Sequence, residues 1–171
     1  MLATRSIALV AAAAAIALPA LAHDEHAPSP SGPVLAQAQP ATGEGRKRTP
    51  APPDAYIYIG WPNDGETVRT QHIKVWFGTR NFGVAPAGVE KPNTGHHHLL
   101  IDTALPPLDE PIPNDKSHLH FGLGQTETVI ELPPGTHTLQ LLMGDANHIP
   151  HDPPVMSKRI TINVKAAPAT H

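Results

Sequence analysis

From residue 55 onward the apolar positions recur every second residue, not every third or fourth. Tyr56-Ile57-Tyr58-Ile59-Gly60-Trp61 opens the series, and the turn Pro62-Asn63-Asp64-Gly65 closes its first member. Residues 67–77 follow, with Val68, Ile73, Val75 and Phe77 as the apolar positions, and residues 96–103, 116–122 and 126–132 continue the pattern. The turn Pro133-Pro134-Gly135 leads into residues 136–143, and residues 156–164 end the series with Ile160, Ile162 and Val164 alternating. Period-two alternation bounded by Pro and Gly is the mark of half-buried strands. About seven strands in roughly 110 residues predict an all-β domain over residues 55–165, an antiparallel immunoglobulin-like β-sandwich. The pattern leaves strand order open.

The N-terminal residues read differently. One positive charge at Arg5, an Ala-rich apolar run from Ile7 and the ending Ala20-Leu21-Ala22 match a cleavable secretory signal over residues 1–22. The run is too short and too Ala-rich for a membrane span. Residues 23–54 are Pro, Ala, Gly, Ser and Gln with little apolar bulk, so they are expected to form a disordered tether, with Arg46-Lys47-Arg48 a solvated spot on it. Residues 166–171 read as a frayed tail. The expectation is an exported protein, periplasmic or secreted, and not membrane-embedded.

The chain has no cysteine and twelve histidines. Disulfides are therefore excluded even in a compartment that permits them. The formal charge is −3, and removing Arg5 with the signal makes it 11 − 15 = −4. A nucleic-acid partner would call for a basic face, so that class is set aside.

Seven histidines lie in three runs: Gly95-His96-His97-His98, His118-Leu119-His120 and His148-Ile149-Pro150-His151-Asp152. Side chains at i and i+2 share one face of a strand. His118 and His120 thus oppose Leu119 and Phe121, and His96, His98 and Asp102 oppose His97, Leu99 and Ile101. Leu100 is the exception on that polar face. A His-x-His pair stands about 6.5 Å apart at Cα, and inward-leaning rings still reach one metal about 2.0–2.1 Å away. Two pairs on neighbouring strands supply up to four imidazoles, and the Pro-stiffened loop carries His148, His151 or Asp152 over the rim. Imidazole without thiolate suits Cu(II) or Zn(II) and argues against a soft Cu(I) site.

Other histidines have plainer readings. His137, after a tight turn, is expected to be a structural hydrogen-bonder, and His72 a plain strand residue. His97 divides between a metal ligand and a core histidine held by a backbone carbonyl. His23, exposed by signal cleavage, could chelate copper through its amine and ring, but some 30 flexible residues separate it from the domain, and such a site requires preorganisation. No nucleophile motif, phosphate loop or paired carboxylate is present, so the residues indicate no catalysis beyond what a bound metal would do.

The blocks Gly83-Val84-Ala85-Pro86-Ala87-Gly88-Val89-Glu90-Lys91-Pro92-Asn93-Thr94-Gly95-His96-His97-His98, His118-Leu119-His120-Phe121-Gly122 and Asn147-His148-Ile149-Pro150-His151-Asp152-Pro153-Pro154 occur in order. In these the chain resembles an uncharacterised family of exported bacterial His-rich domains, over about residues 56–164. No activity attaches to that family, so the resemblance implies a fold and a site location. The leading expectation is a Cu(II)- or Zn(II)-binding protein for metal carriage, buffering or sensing, using His96, His98, His118 and His120 with His148, His151 and Asp152. A non-enzymatic envelope interaction module with structural or pH-responsive histidines, taking another envelope protein as partner, is the alternative. A copper-dependent redox enzyme stands third.

Overall fold

In the computed structural model, which describes residues 47–166, the alternating segments become strands: β1 (Tyr56–Trp61), β2 (Thr67–Val68), β3 (His72–Arg80), β4 (Gly83–Val84), β5 (Thr94–Ile101), β6 (His118–Phe121), β7 (Glu127–Glu131), β8 (Gly135–Gly144) and β9 (Ile160–Val164). They form a three-stranded sheet in the order β1-β3-β7 and a six-stranded sheet in the order β2-β9-β8-β5-β4, with β6 also paired to β5. The fold is all-β, as the periodicity implies. The expected 67–77 strand is split, because β2 pairs with β9 in the larger sheet while β3 pairs with β1 and β7 in the smaller. Two short pairings, β2–β9 and β4–β5, are parallel, a departure from the purely antiparallel expectation.

The core lies between the sheets. Ile57, Ile73, Val75, Phe77 and Ile130 of the small sheet pack with Leu99, Phe121, Leu139, Leu141, Met143 and Ile162 of the large one. Alternation then sends Leu100 and Leu142, which follow those positions, to the opposite face of the large sheet. There they form a second apolar cluster with Ile112 and Met156. That face is therefore covered, by the connections that carry Ile112 and Met156, and a polar side chain placed on it is buried too. Leu100 breaks the expected polar stripe for this reason.

The segment expected to end the tether is paired instead. Thr49 and Ala51 exchange backbone hydrogen bonds with Asp152, each at 2.9 Å. Arg48 donates to the carbonyls of Pro150 (3.1 Å) and His151. Low apolar content argued for disorder there, but these residues are held through backbone and side-chain polar groups, which hydropathy does not register. The proposed signal segment, His23 and the last residues of the tail lie outside the described residues.

A candidate metal centre on strand β5

The site is built where β5 meets β6 and the end of β8. Antiparallel pairing sets His98 opposite His120 and His96 opposite Gly144. Directly opposed residues point to the same side, so His96, His98 and His120 share the covered outer face. One ring nitrogen of each lies within 4.8 Å of the others. His96 and His98 are 0% exposed, and their Nε2 atoms stand 3.0 Å apart. His120 is half-buried and opens the site towards solvent.

A fourth ring arrives from the loop after β8. His148 lies with its ring centroid 4.8 Å from His96, 6.0 Å from His98 and 4.8 Å from His120. Its backbone is left-handed, with φ 68°, a conformation costing on the order of 1 kcal/mol for a residue with a side chain. Buried Asp145 holds it there. Its Oδ1 accepts the backbone N–H groups of Asn147 (2.8 Å) and Ile149 (2.9 Å), and its Oδ2 accepts the Thr49 hydroxyl at 2.6 Å. The N–H of His148 donates to the Asp145 carbonyl, and the His148 carbonyl accepts from Ile112, each at 2.9 Å.

Two glycines make room for the rings. A Cβ on Gly122 would stand 2.3 Å from Cε1 of His120, and one on Gly144 would stand 3.1 Å from Nε2 of His98 and 3.2 Å from Cα of His148. Neither position could carry a side chain without displacing an imidazole or its loop.

The electrostatics favour neutral rings. Burial pushes His96 down to about 4, with the rings of His148 and His120 adding to it. Burial, then the neighbouring rings of His96, His120 and His148, pushes His98 down to about 2. His120 is lowered by the same causes. Each ring therefore presents a free lone pair at neutral pH, the form that ligates metal. Nδ1 of His96, Nδ1 of His98 and Nε2 of His120 are buried with no hydrogen-bond partner among the described residues. Buried polar atoms are nearly always paired; His97 Nε2 and both ring nitrogens of His151 also lack partners, so what sets the cluster apart is that its rings converge.

The other expected ligands stand elsewhere. His118 shares the face of His120 but sits opposite Leu100 and takes Asp115 as its partner, with Nδ1 3.0 Å from Oδ1. His151 is fully buried with its ring 5.0 Å from Phe82, and it lies against the Gly95 position, which alternates to the core face of β5. Asp152 is 66% exposed in its side chain and pairs with Arg48 at 3.3 Å. His97 points into the core, packs 5.0 Å from Phe77 and donates its Nδ1–H to the Gln125 carbonyl at 3.2 Å. Burial pushes it down to about 4 against the pull of that carbonyl. It is the core histidine of the two readings. The supports from Arg48, Thr49 and Asp145 went unseen in the sequence. Only Asp145, two residues before Asn147 in a turn-rich loop, carried a signal, as an Asx-type residue that binds its own following backbone.

Comparison with known proteins adds a family and no chemistry. The family model described as "Domain of unknown function (DUF4399)" matches residues 75–165, more than half of the chain. No curated protein matches. Among solved structures, fibronectin(III)-like modules of Clostridium thermocellum CbhA align over 65% of this chain and 98% of theirs, with 14% identity and a TM-score of 0.31. No helix among the described residues is long and apolar enough to cross a membrane.

Proposed function

The chain belongs to the DUF4399 family, whose description assigns no activity, and from the residues of its site we propose that it binds a divalent transition metal, Cu(II) or Zn(II), for carriage, buffering or sensing outside the cytoplasm. The observation that carries this reading is the convergence of His96, His98 and His120, one nitrogen each within 4.8 Å, on a face where their remaining buried nitrogens lack partners. Three imidazoles desolvated against one another cost free energy that the His96–His98 contact at 3.0 Å repays only in part. A metal ion among them would take one lone pair from each ring, including the Nε2 atoms of His96 and His98 that stand 3.0 Å apart, and the neutral state of the rings means no proton has to leave His96 or His98 at neutral pH. The half-buried side of His120 gives the ion its way in. Export through residues 1–22 belongs to the same proposal, and the N-terminal sequence of the protein recovered from the cell envelope tests it.

Calorimetric titration of the tag-free mature protein with each metal tests the binding. One saturable site per chain, tighter than about 10 μM (near −7 kcal/mol), is expected. Absence of such a site for both metals, or unchanged affinity after His96 and His98 are both replaced by Ala, defeats the reading.

A further inference from the structure

We propose that His148 is the fourth ligand, and that it makes the centre a closed tetrahedron of four imidazoles built for Zn(II). This rests on the metal-binding reading above and goes beyond it in naming the coordination and the ion. The argument is the spacing of the rings. With nitrogen about 2.0–2.1 Å from the ion, each imidazole centroid stands roughly 3.2 Å away, so a tetrahedron places every pair of centroids about 5.2 Å apart. A square arrangement instead gives four edges of about 4.5 Å and two diagonals of about 6.4 Å.

The measured separations are 4.9 Å for His96–His98, 5.0 Å for His96–His120, 4.8 Å for His96–His148, 5.0 Å for His98–His120, 4.8 Å for His120–His148 and 6.0 Å for His98–His148. Were His98 and His148 opposite corners of a square, His96 and His120 would be the other diagonal. That pair is 5.0 Å apart, so the square fails and the tetrahedron stands. The Nε2 atoms of His96 and His98, 3.0 Å apart, approach the roughly 3.3 Å of two tetrahedral nitrogens on one ion. The nitrogens of His148 stand outside the 4.8 Å set of the other three, so the proposal requires its ring to turn about the Cβ–Cγ bond, which leaves the centroid almost in place.

The loop is shaped for this task. A non-glycine residue at φ 68° is locked by the Asp145 carboxylate, the Thr49 hydroxyl and the Ile112 N–H. Backbone held in a costly conformation by several partners fixes the side chain it carries. Four imidazole nitrogens in tetrahedral array satisfy Zn(II), whereas Cu(II) prefers tetragonal surroundings and gives up part of its usual advantage there. Four protein ligands also leave no position for substrate, which favours carriage or buffering over metal-dependent chemistry.

The experiment compares the full mature protein with His148→Gly, which relieves the left-handed backbone and leaves room for a free ring. Zn(II) affinity is expected to fall about 10-fold or more in the variant, with Cu(II) affinity falling less, so that the ratio of Cu(II) to Zn(II) affinity rises. Co(II)-loaded wild type should show the strong visible absorption of a four-coordinate centre. His148→Gly should lose or shift it, and millimolar imidazole should restore it. Equal affinities for both metals and an unchanged Co(II) spectrum in His148→Gly, with binding still abolished in the His96→Ala/His98→Ala double variant, overturn the fourth ligand and leave the three-histidine site intact. Failure of the wild type to bind either metal overturns the underlying reading itself.

Discussion

Strand β5 carries two kinds of histidine environment, one at each end. Past its C-terminal end Asp102 turns its carboxylate to His137 on β8. Nδ1 of His137 lies 2.6 Å from Asp102 Oδ2 and Nε2 lies 2.9 Å from the Pro133 carbonyl. Both nitrogens face acceptors, so both must donate, which only the imidazolium does. Burial lowers the His137 pKa, but the Asp102 hydrogen bond, the Pro133 carbonyl and the Asp102 charge together carry it above the usual value. At the N-terminal end the rings of His96 and His98 face other rings, are pushed down, and leave buried nitrogens without partners. The same side chain is finished by the protein at one end and left unfinished at the other. An imidazole whose donors and acceptors are all matched is part of the architecture; a group of them matched only to one another is organised for something that arrives from outside.

The largest expected effect is a double dissociation between these ends. His98→Leu should reduce metal affinity by about 100-fold or more, since it removes a ligand from the buried floor of the site. It should lower the melting temperature of the metal-free protein by only a few degrees, because Leu100 and Leu142 already make that face apolar. His137→Ala should do the reverse. It loses two hydrogen bonds, both donated by the imidazolium, for about 1–2 kcal/mol of stability, and leaves metal affinity within twofold. Calorimetry with each metal and thermal melts of the metal-free proteins give both readouts. A large loss of metal affinity in His137→Ala would break the comparison.

Gly122→Ala comes next. The added Cβ would meet the ring of His120 at 2.3 Å, and the cheapest escape is for that ring to swing towards its open side. Metal affinity should then drop about 10-fold, while the unfolding free energy falls by about 1 kcal/mol, the low end for an added methyl group. A stability loss with unchanged affinity would show that the glycine serves the fold and not the site.

These consequences were unequally legible in the sequence. Alternation gave the strands, and it separated His96 and His98 from His97, because parity is enforced wherever one face of a strand is core. It failed where the strand stops. Asp102, counted with His96 and His98, has φ 53° and has left the pleat to bind His137. Parity is also not proximity: His118 and His120 share a face, yet only His120 lies across from His98. In the 145–152 loop there is no period at all. His148 and His151, three residues apart, go to opposite sides of β5, decided by the hydrogen bonds of Asp145 and by the strap at Arg48 and Thr49. A long-range polar contact of that kind leaves no mark in local composition.

The two ends should also respond to pH in opposite directions. His137 is raised in the folded protein, so its contribution is fully present below about 6.5 and is lost as pH rises through its folded value. His96, His97 and His98 are lowered to about 4, about 4 and about 2, so their contribution to the metal-free fold is fully present above 6.5 and is lost as pH falls from there through those values. Stability of the metal-free protein should therefore peak near 6.5, and denaturant midpoints between pH 4.5 and 8.5 measure this. In His137→Ala the decline on the alkaline side should disappear while that on the acid side remains.

The smallest effect is expected at His118, and it tests the site's boundary most closely. By sequence it is the twin of His120, in the same His-x-His run and on the same face. In the fold its Nδ1 is already committed to Asp115, an acid whose pKa is held down first by that hydrogen bond. The Asp115 side chain is 55% exposed, and water screens a pair so open to it. His118→Ala should accordingly change the affinity for either metal by less than about twofold and stability by no more than about 0.5 kcal/mol. His120→Ala, two residues away, should lose about 10-fold or more in affinity. If both substitutions weakened binding alike, the distinction between a ring bonded to Asp115 and one converging on His96 and His98 would fail at its nearest pair.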